Sequence, residues 1–94
     1  MTIQEAKEAL TERVANSNFD RVLKFDCGED GVLVINRHEL STEDAEAECT
    51  IAITLEDLHS LVKGELNPVA GFMQGKLRVD GDMGVAMQLQ NLLS

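Results

Sequence analysis

The sequence lacks tryptophan and tyrosine, has only three phenylalanines, and carries few positive charges for its length. Eight lysine and arginine residues stand against 17 aspartate and glutamate residues, which gives a formal net charge of -9 at pH 7. A charge of this sign repels phosphate groups at long range, so we expect no nucleic-acid partner and at most transient membrane contact. The acidic residues are scattered and do not form a tail, which is typical of a soluble, self-repelling surface.

Two further absences concern location and redox chemistry. The N-terminal residues contain neither a basic region nor an apolar run, and no apolar segment reaches the ~18 residues that a membrane span needs. Cys27 and Cys49 stand alone, without the spacing of a metal site or a disulfide framework. These features favour a cytoplasmic protein with both thiols reduced.

A catalytic constellation is also missing. His38 falls in a polar loop and His59 on the outer side of a predicted helix, so we predict that both imidazoles are exposed to solvent. Asp80 and Asp82 are interpreted as a strand end and a helix cap, not as metal ligands. We therefore expect no enzyme activity, no cofactor and no metal.

What the sequence does contain is an alternation of helix and strand patterns. Apolar residues at helical spacing predict helices that begin near Ile3, Leu55, Pro68 and Met83. Strand patterns lie near residues 19–26, 32–35, 38–40, 47–53 and 77–79. With 44% hydrophobic residues, the 94-residue chain predicts one α+β domain over 1–94, in which helices cover one face of a mostly antiparallel sheet.

The last predicted helix is apolar around much of its circumference. Met83, Ala86, Met87 and Leu93 share one side, and Gln90 provides a polar tip within it. For any one of these residues, ordinary core packing is the alternative interpretation. Three methionines in the C-terminal third, together with the scarcity of aromatics, favour an adaptable surface for apolar guests, because unbranched thioethers fill irregular space.

The preceding short helix contributes a second apolar set. Asn67 is the predicted cap of this helix and Pro68 its first residue. We expect Val69, Phe72 and Met73 to face inward from it.

A specific run of motifs covers the second half of the chain. Its members are Cys49-Thr50-Ile51, Asp57-Leu58, Gly64, Leu66-Asn67-Pro68, Phe72 to Leu77, Gly81 to Gly84, Ala86-Met87 and Leu89 to Leu92. This run resembles the lipid-binding domain of the sterol carrier protein 2 (SCP2) family, which the first 48 residues match in pattern alone. The resemblance implies a five-stranded sheet covered by helices, with a hydrophobic tunnel between them. It also implies a fatty acid, fatty acyl-CoA, phospholipid or sterol-like ligand that is moved without chemistry.

By position, the resemblance implies a set of ligand-binding residues in which Gln90 is the polar contact: Phe72, Met73, Leu77, Met83, Met87, Gln90 and Leu93. Family members commonly continue past the last helix, so we expect a cavity that is open at one end, smaller, or completed by a second subunit in a homodimer. The leading hypothesis is a carrier of a lipid or fatty acyl ligand. The alternative is a non-enzymatic interaction or dimerisation module with a closed cavity.

Overall fold

Four helices and five strands form two layers in the computed structural model, which describes residues 2–93. The helices are α1 (Ile3–Ala15), α2 (Leu55–Val62), α3 (Pro68–Met73) and α4 (Met83–Leu93). The strands are β1 (Val22–Asp26), β2 (Val32–Asn36), β3 (Glu39–Ser41), β4 (Cys49–Ile53) and β5 (Leu77–Gly81). They form one sheet of order β3-β2-β1-β4-β5, in which only the β1–β4 pair is parallel. The predicted α+β fold with a mostly antiparallel sheet is confirmed.

Side-chain caps begin the helices where the sequence predicts them. The Thr2 Oγ1 atom accepts a hydrogen bond of 3.1 Å from the backbone N–H of Glu5, and the Asn67 side chain accepts one of 2.9 Å from that of Val69. At the start of α4, Asp82 Oδ1 accepts a bond of 2.8 Å from the Gly84 N–H. These side chains satisfy N–H groups that the first turn of a helix leaves unpaired.

The hydrophobic core lies between the helices and one face of the sheet. Alternate residues of the paired strands point into it, so that Leu23 faces Ile35 across β1 and β2. Burying a leucine or isoleucine of this kind contributes about 1.5–3 kcal/mol to stability. The largest fully buried side chains are Leu10, Val14, Leu23, Phe25, Leu33, Ile35, Cys49, Ile51, Leu58, Leu61, Val85 and Leu89.

The two histidines differ from each other. His38 is exposed as predicted, but His59 is only 6% exposed, so the prediction for His59 is wrong. Its Nε2 atom lies 3.1 Å from the carbonyl oxygen of Thr2, which can only accept a hydrogen bond, so Nε2 carries the donated proton. The reason is tertiary, because α1 packs against α2 and covers the side of α2 that the helical pattern left outside.

Glu48 connects three parts of the fold at the start of β4. Its carboxylate accepts hydrogen bonds of 2.9 Å from Arg21 Nε and 2.8 Å from the N–H of Val22, and its backbone N–H donates to the Val22 carbonyl at 3.0 Å. The Glu48 carbonyl accepts from the N–H of Asp82 at 2.9 Å, and Asp82 pairs with Arg21 at 3.0 Å. Gly81 stands against this carbonyl with φ 108°, where a Cβ would lie 2.5 Å from the oxygen. The backbone therefore accepts only glycine here.

We predict that Glu48 makes stability dependent on pH. The Val22 N–H and the Arg21 guanidinium hold the pKa of Glu48 below its ordinary value of 4.5. The contribution of Glu48 is therefore complete above pH 4.5 and is lost as the pH falls through the lower pKa of the folded state. Urea unfolding at pH 7 and at steps below 4.5 measures this loss.

The matched variants are Glu48→Gln and Glu46→Gln, which remove the same charge two positions apart. Glu46 is exposed and forms no side-chain hydrogen bond or ion pair within residues 2–93. The unfolding midpoint of Glu48→Gln should decline less on acidification than that of Glu46→Gln. Parallel acid profiles of the two variants would contradict the role assigned to Glu48.

Candidate functional site

Every exposed large hydrophobic residue in the described part of the chain lies on α3 or α4. On α3 these are Val69 (47% exposed), Phe72 (47%) and Met73 (80%), and on α4 they are Met83 (52%) and Met87 (67%). Each set falls on one side of its helix by three- and four-residue spacing, and the two helices contact each other. We call these five side chains the α3–α4 apolar face.

The prediction that Val69, Phe72 and Met73 face inward is wrong, because Gly71 takes the buried side of α3. A Cβ at Gly71 would lie 3.2 Å from Leu77 Cδ2 and 3.4 Å from Leu66 Cδ1. The helix therefore meets the sheet through its residue without a side chain. Close backbone approach on that side turns the bulky residues outward.

The predicted ligand-binding residues separate into two groups. Leu77 and Leu93 belong to the buried core, at 4% and 8% exposed, and Gln90 is half-buried. Four others, Phe72, Met73, Met83 and Met87, lie on the α3–α4 apolar face. The inward stripe of α4 is formed by Val85, Leu89 and Leu93, whose four-residue spacing is visible in the sequence.

Two concave regions lie outside this face. The larger, about 760 Å³, lies between the end of α1, the following loop and the last turns of α4. Its lining is mostly polar: Arg13, Asn16, Ser17, Asn18, Asp20, Gln88 and Asn91, with Phe19, Leu92 and Leu93. A region of about 320 Å³ lies beside the start of β5. Pockets for apolar ligands are lined mainly by hydrophobic side chains, so the larger region suits an acyl chain less well than the α3–α4 apolar face.

The described residues contain neither a metal-binding cluster nor an activated thiol. Residues 2–93 contain no cluster of three or more histidine, cysteine or acidic side chains placed to hold a metal ion. Burial, with Asp30 and Asp26 nearby, raises the pKa of Cys27 to about 11, and burial likewise raises that of Cys49. Both thiols are therefore protonated at neutral pH and are poor nucleophiles. Within the same range, no helix has the length and apolar character to cross a membrane.

These features define a class of protein, a small two-layer α+β domain with an apolar face on its last two helices. The SCP-2 sterol transfer family matches residues 2–94, and the chain belongs to that family. The resemblance seen in the second half of the sequence is thereby confirmed.

Similar proteins agree with this assignment. Sterol carrier protein 2 of Oryctolagus cuniculus is 51% identical over 53 residues, which are 56% of this chain and 10% of the rabbit protein. The sterol carrier protein domain 2 of Helicoverpa armigera has a solution structure with TM-score 0.64 and 30% identity, over 97% of this chain and 76% of that one. Palmitated SCP2L2 from Aedes aegypti gives TM-score 0.75 over 99% of this chain and 95% of that one. At 19% identity, this last similarity establishes the fold alone.

We predict that the methionines of α4 can be changed without loss of stability. Met83→Gln and Met87→Gln should each change the free energy of unfolding by less than about 0.5 kcal/mol, because both side chains are already exposed. Leu89→Ala, on the inward side of the same helix, should cost about 2–5 kcal/mol. Urea unfolding compares the three variants with the unchanged protein. A cost for Met87→Gln close to that of Leu89→Ala would place Met87 in the core.

Proposed function

We propose that this domain binds the acyl chain of a fatty acid, a fatty acyl-CoA or a phospholipid, or the apolar body of a sterol-like lipid, at the α3–α4 apolar face and carries the lipid without chemical change. One observation carries the proposal, the location of all five exposed large hydrophobic side chains of residues 2–93 on two helices in contact. A concentrated apolar surface on an otherwise highly charged molecule marks a binding site. Each methylene of an acyl chain that it covers contributes about 0.8 kcal/mol.

The ligand enters between α3 and the rest of the fold. Core side chains fill the space between the sheet and the other helices, so a tunnel there requires an element to move aside. Of the four helices, α3 has the smallest buried fraction, because Gly71 is the only buried residue of its six. Movement of α3 away from β5 would uncover Leu77 and open a slot between the two helices.

The predicted ligand-binding residues take distinct positions in this arrangement. Leu77 forms the inner wall, whereas Phe72, Met73, Met83 and Met87 surround the entrance; Leu93 lies in the core at the far end of α4, beside the 760 Å³ region. The half-buried amide of Gln90 lies one helical turn beyond Met87 on α4, within reach of a polar head group. Flexible thioethers at the entrance suit acyl chains that differ in length or unsaturation.

Family membership and the fold support this assignment. SCP2 relatives bind lipid, and the Aedes aegypti structure of the same fold was determined in palmitated form. The aligned part of the rabbit relative is only 10% of that protein, so this relative supports the presence of a lipid-binding domain and does not indicate any activity of its other parts. Residues 2–93 add no activated thiol and no metal-binding cluster to the site.

Titration with a fluorescent fatty acid tests the site. Met87→Glu should weaken binding about tenfold or more, because the bound chain would lie against an unpaired carboxylate. Gln88→Glu adds the same charge one residue along, on the side of α4 that lines the 760 Å³ concave region, and should leave affinity nearly unchanged. If Gln88→Glu loses binding while Met87→Glu keeps full affinity, the ligand binds in the 760 Å³ region and the proposal is refuted.

The alternative is a module that uses the same face to contact a protein, including a second copy of this chain. Native mass spectrometry of gently purified, delipidated and reloaded protein separates the two functions. A carrier is a monomer that gains the mass of the added fatty acid. A dimer that binds no fatty acid would favour the interaction module.

A further inference from the structure

We propose that α3 and the turns on either side of it form a docking surface for anionic phospholipid bilayers. Val69, Phe72 and Met73 enter the interface, while Lys63 and Lys76 contact the head groups. The inference goes beyond ligand binding, because docking in this manner needs no lipid inside the protein. It rests on three observations: the outward side chains of α3, the positive charges around them, and the absence of carboxylate partners for those charges within residues 2–93.

The outward side of α3 has the shape of an interfacial anchor. The helix has six residues and is therefore ~9 Å long, and its three large apolar side chains are at least 47% exposed. Such a helix is too short to span a bilayer, but it can lie in the interface with its apolar side among the upper acyl segments. The Phe72 and Met73 side chains can contact acyl segments without burying a polar group, because neither side chain carries a hydrogen-bonding group that needs a strong partner.

Positively charged residues flank this helix along the chain. Lys63 is the C-cap of α2, five positions before the first residue of α3, and the N–H of Lys76 donates to the Gly71 carbonyl at 2.8 Å, which holds Lys76 against the last turn of α3. Lys76 also lines the region of about 320 Å³ beside β5 together with Arg78, where Asp26 is the acidic member. All three cations are exposed, and none of them pairs with a carboxylate in the described residues.

The segment that contains α3 carries a net charge opposite in sign to that of the whole chain. Residues 63–79 contain these three cations and one carboxylate, Glu65, in a chain whose formal net charge is -9. Repulsion from the remaining surface therefore favours one orientation on an anionic bilayer, with α3 toward the lipid. Electrostatic contact acts within about 8 Å at physiological salt, so the local cations outweigh the distant carboxylates once α3 is at the surface.

The same charges disfavour a second copy of this chain as the occupant. In a twofold dimer the same patch contacts itself, which would bring the unpaired Lys63 and Lys76 side chains of both copies together. The two copies would also carry -9 each. An anionic bilayer offers many negative charges to these lysines, whereas residues 63–79 of a second copy contain one carboxylate, Glu65.

Co-sedimentation of the lipid-free protein with vesicles tests the proposal. We expect binding to mixed phosphatidylcholine and phosphatidylglycerol vesicles, weaker binding to phosphatidylcholine alone, and a decline with added salt. Lys76→Glu should lower the partition coefficient at least about fivefold, since it removes a positive charge at the surface. Met73→Gln should lower it about tenfold, through loss of apolar insertion.

Arg37→Glu is the matched charge control, because it makes the same change in an exposed turn between β2 and β3, beside the opposite edge of the sheet. Its partition should equal that of the unchanged protein. If Arg37→Glu lowers the partition coefficient as much as Lys76→Glu does, net charge alone determines vesicle binding and the proposal is overturned. Equal binding to neutral and anionic vesicles, or no binding to either, would also overturn it.

Two further measurements distinguish bilayer docking from ligand binding and from self-association. Fatty-acid titration of Lys76→Glu should give the affinity of the unchanged protein, so failure of docking and failure of the ligand site remain distinguishable. Sedimentation without vesicles should give a monomer. A dimer that Met73→Gln abolishes would make a second copy the occupant of this surface and would overturn bilayer docking.

Discussion

The position of α4 depends on one residue, Glu48, at the only parallel strand pair of the sheet that residues 2–93 form. Parallel strands cannot be joined by a tight turn, so β1 and β4 meet only after the β2–β3 hairpin and the acidic loop have intervened. Glu48 closes this non-local contact by binding the backbone of β1 with both its main chain and its carboxylate. Its carbonyl then holds Asp82, the residue that caps α4. The same residue therefore aligns the two halves of the sheet, through its carboxylate and its N–H group, and sets where the last helix begins, through its carbonyl.

Glycine determines what the two last helices present to solvent. Gly71 allows α3 to rest on Leu66 and Leu77, and Gly81 allows β5 to pass close to the Glu48 carbonyl. Because the one buried position of α3 is a residue without a side chain, its large apolar residues remain outside. α4 buries its Val85, Leu89 and Leu93 stripe and likewise leaves its methionines outside. The α3–α4 apolar face, together with the small buried fraction of α3, is the structural basis for both proposed activities. These are uptake of an acyl chain and docking on a bilayer.

Local rules predicted the elements of this fold well. Thr2, Asn67 and Asp82 cap the helices as expected, and the alternation at Cys49, Ile51 and Ile53 indicated the correct inward set of β4. The errors concern faces that tertiary contacts decide. Periodicity cannot tell that a glycine will be the buried residue of α3, nor that α1 will cover His59. The Glu48 junction joins residues more than 20 positions apart, and no local pattern indicates it. The resemblance of the second half of the chain identified the family correctly, but it could not tell which predicted ligand residues are buried and which are exposed.

Nuclear magnetic resonance with ¹³C-methyl-labelled methionine tests the central claim most directly. In a titration of the delipidated protein with a fatty acid, the methyl groups of Met73, Met83 and Met87 should shift and show Overhauser contacts to the acyl chain. Amide signals of α3 should broaden or shift with them, because that helix moves to admit the ligand. Saturable binding with unchanged signals at all three methionines, and with shifts confined to residues near Asn16 and Gln88, would contradict the account.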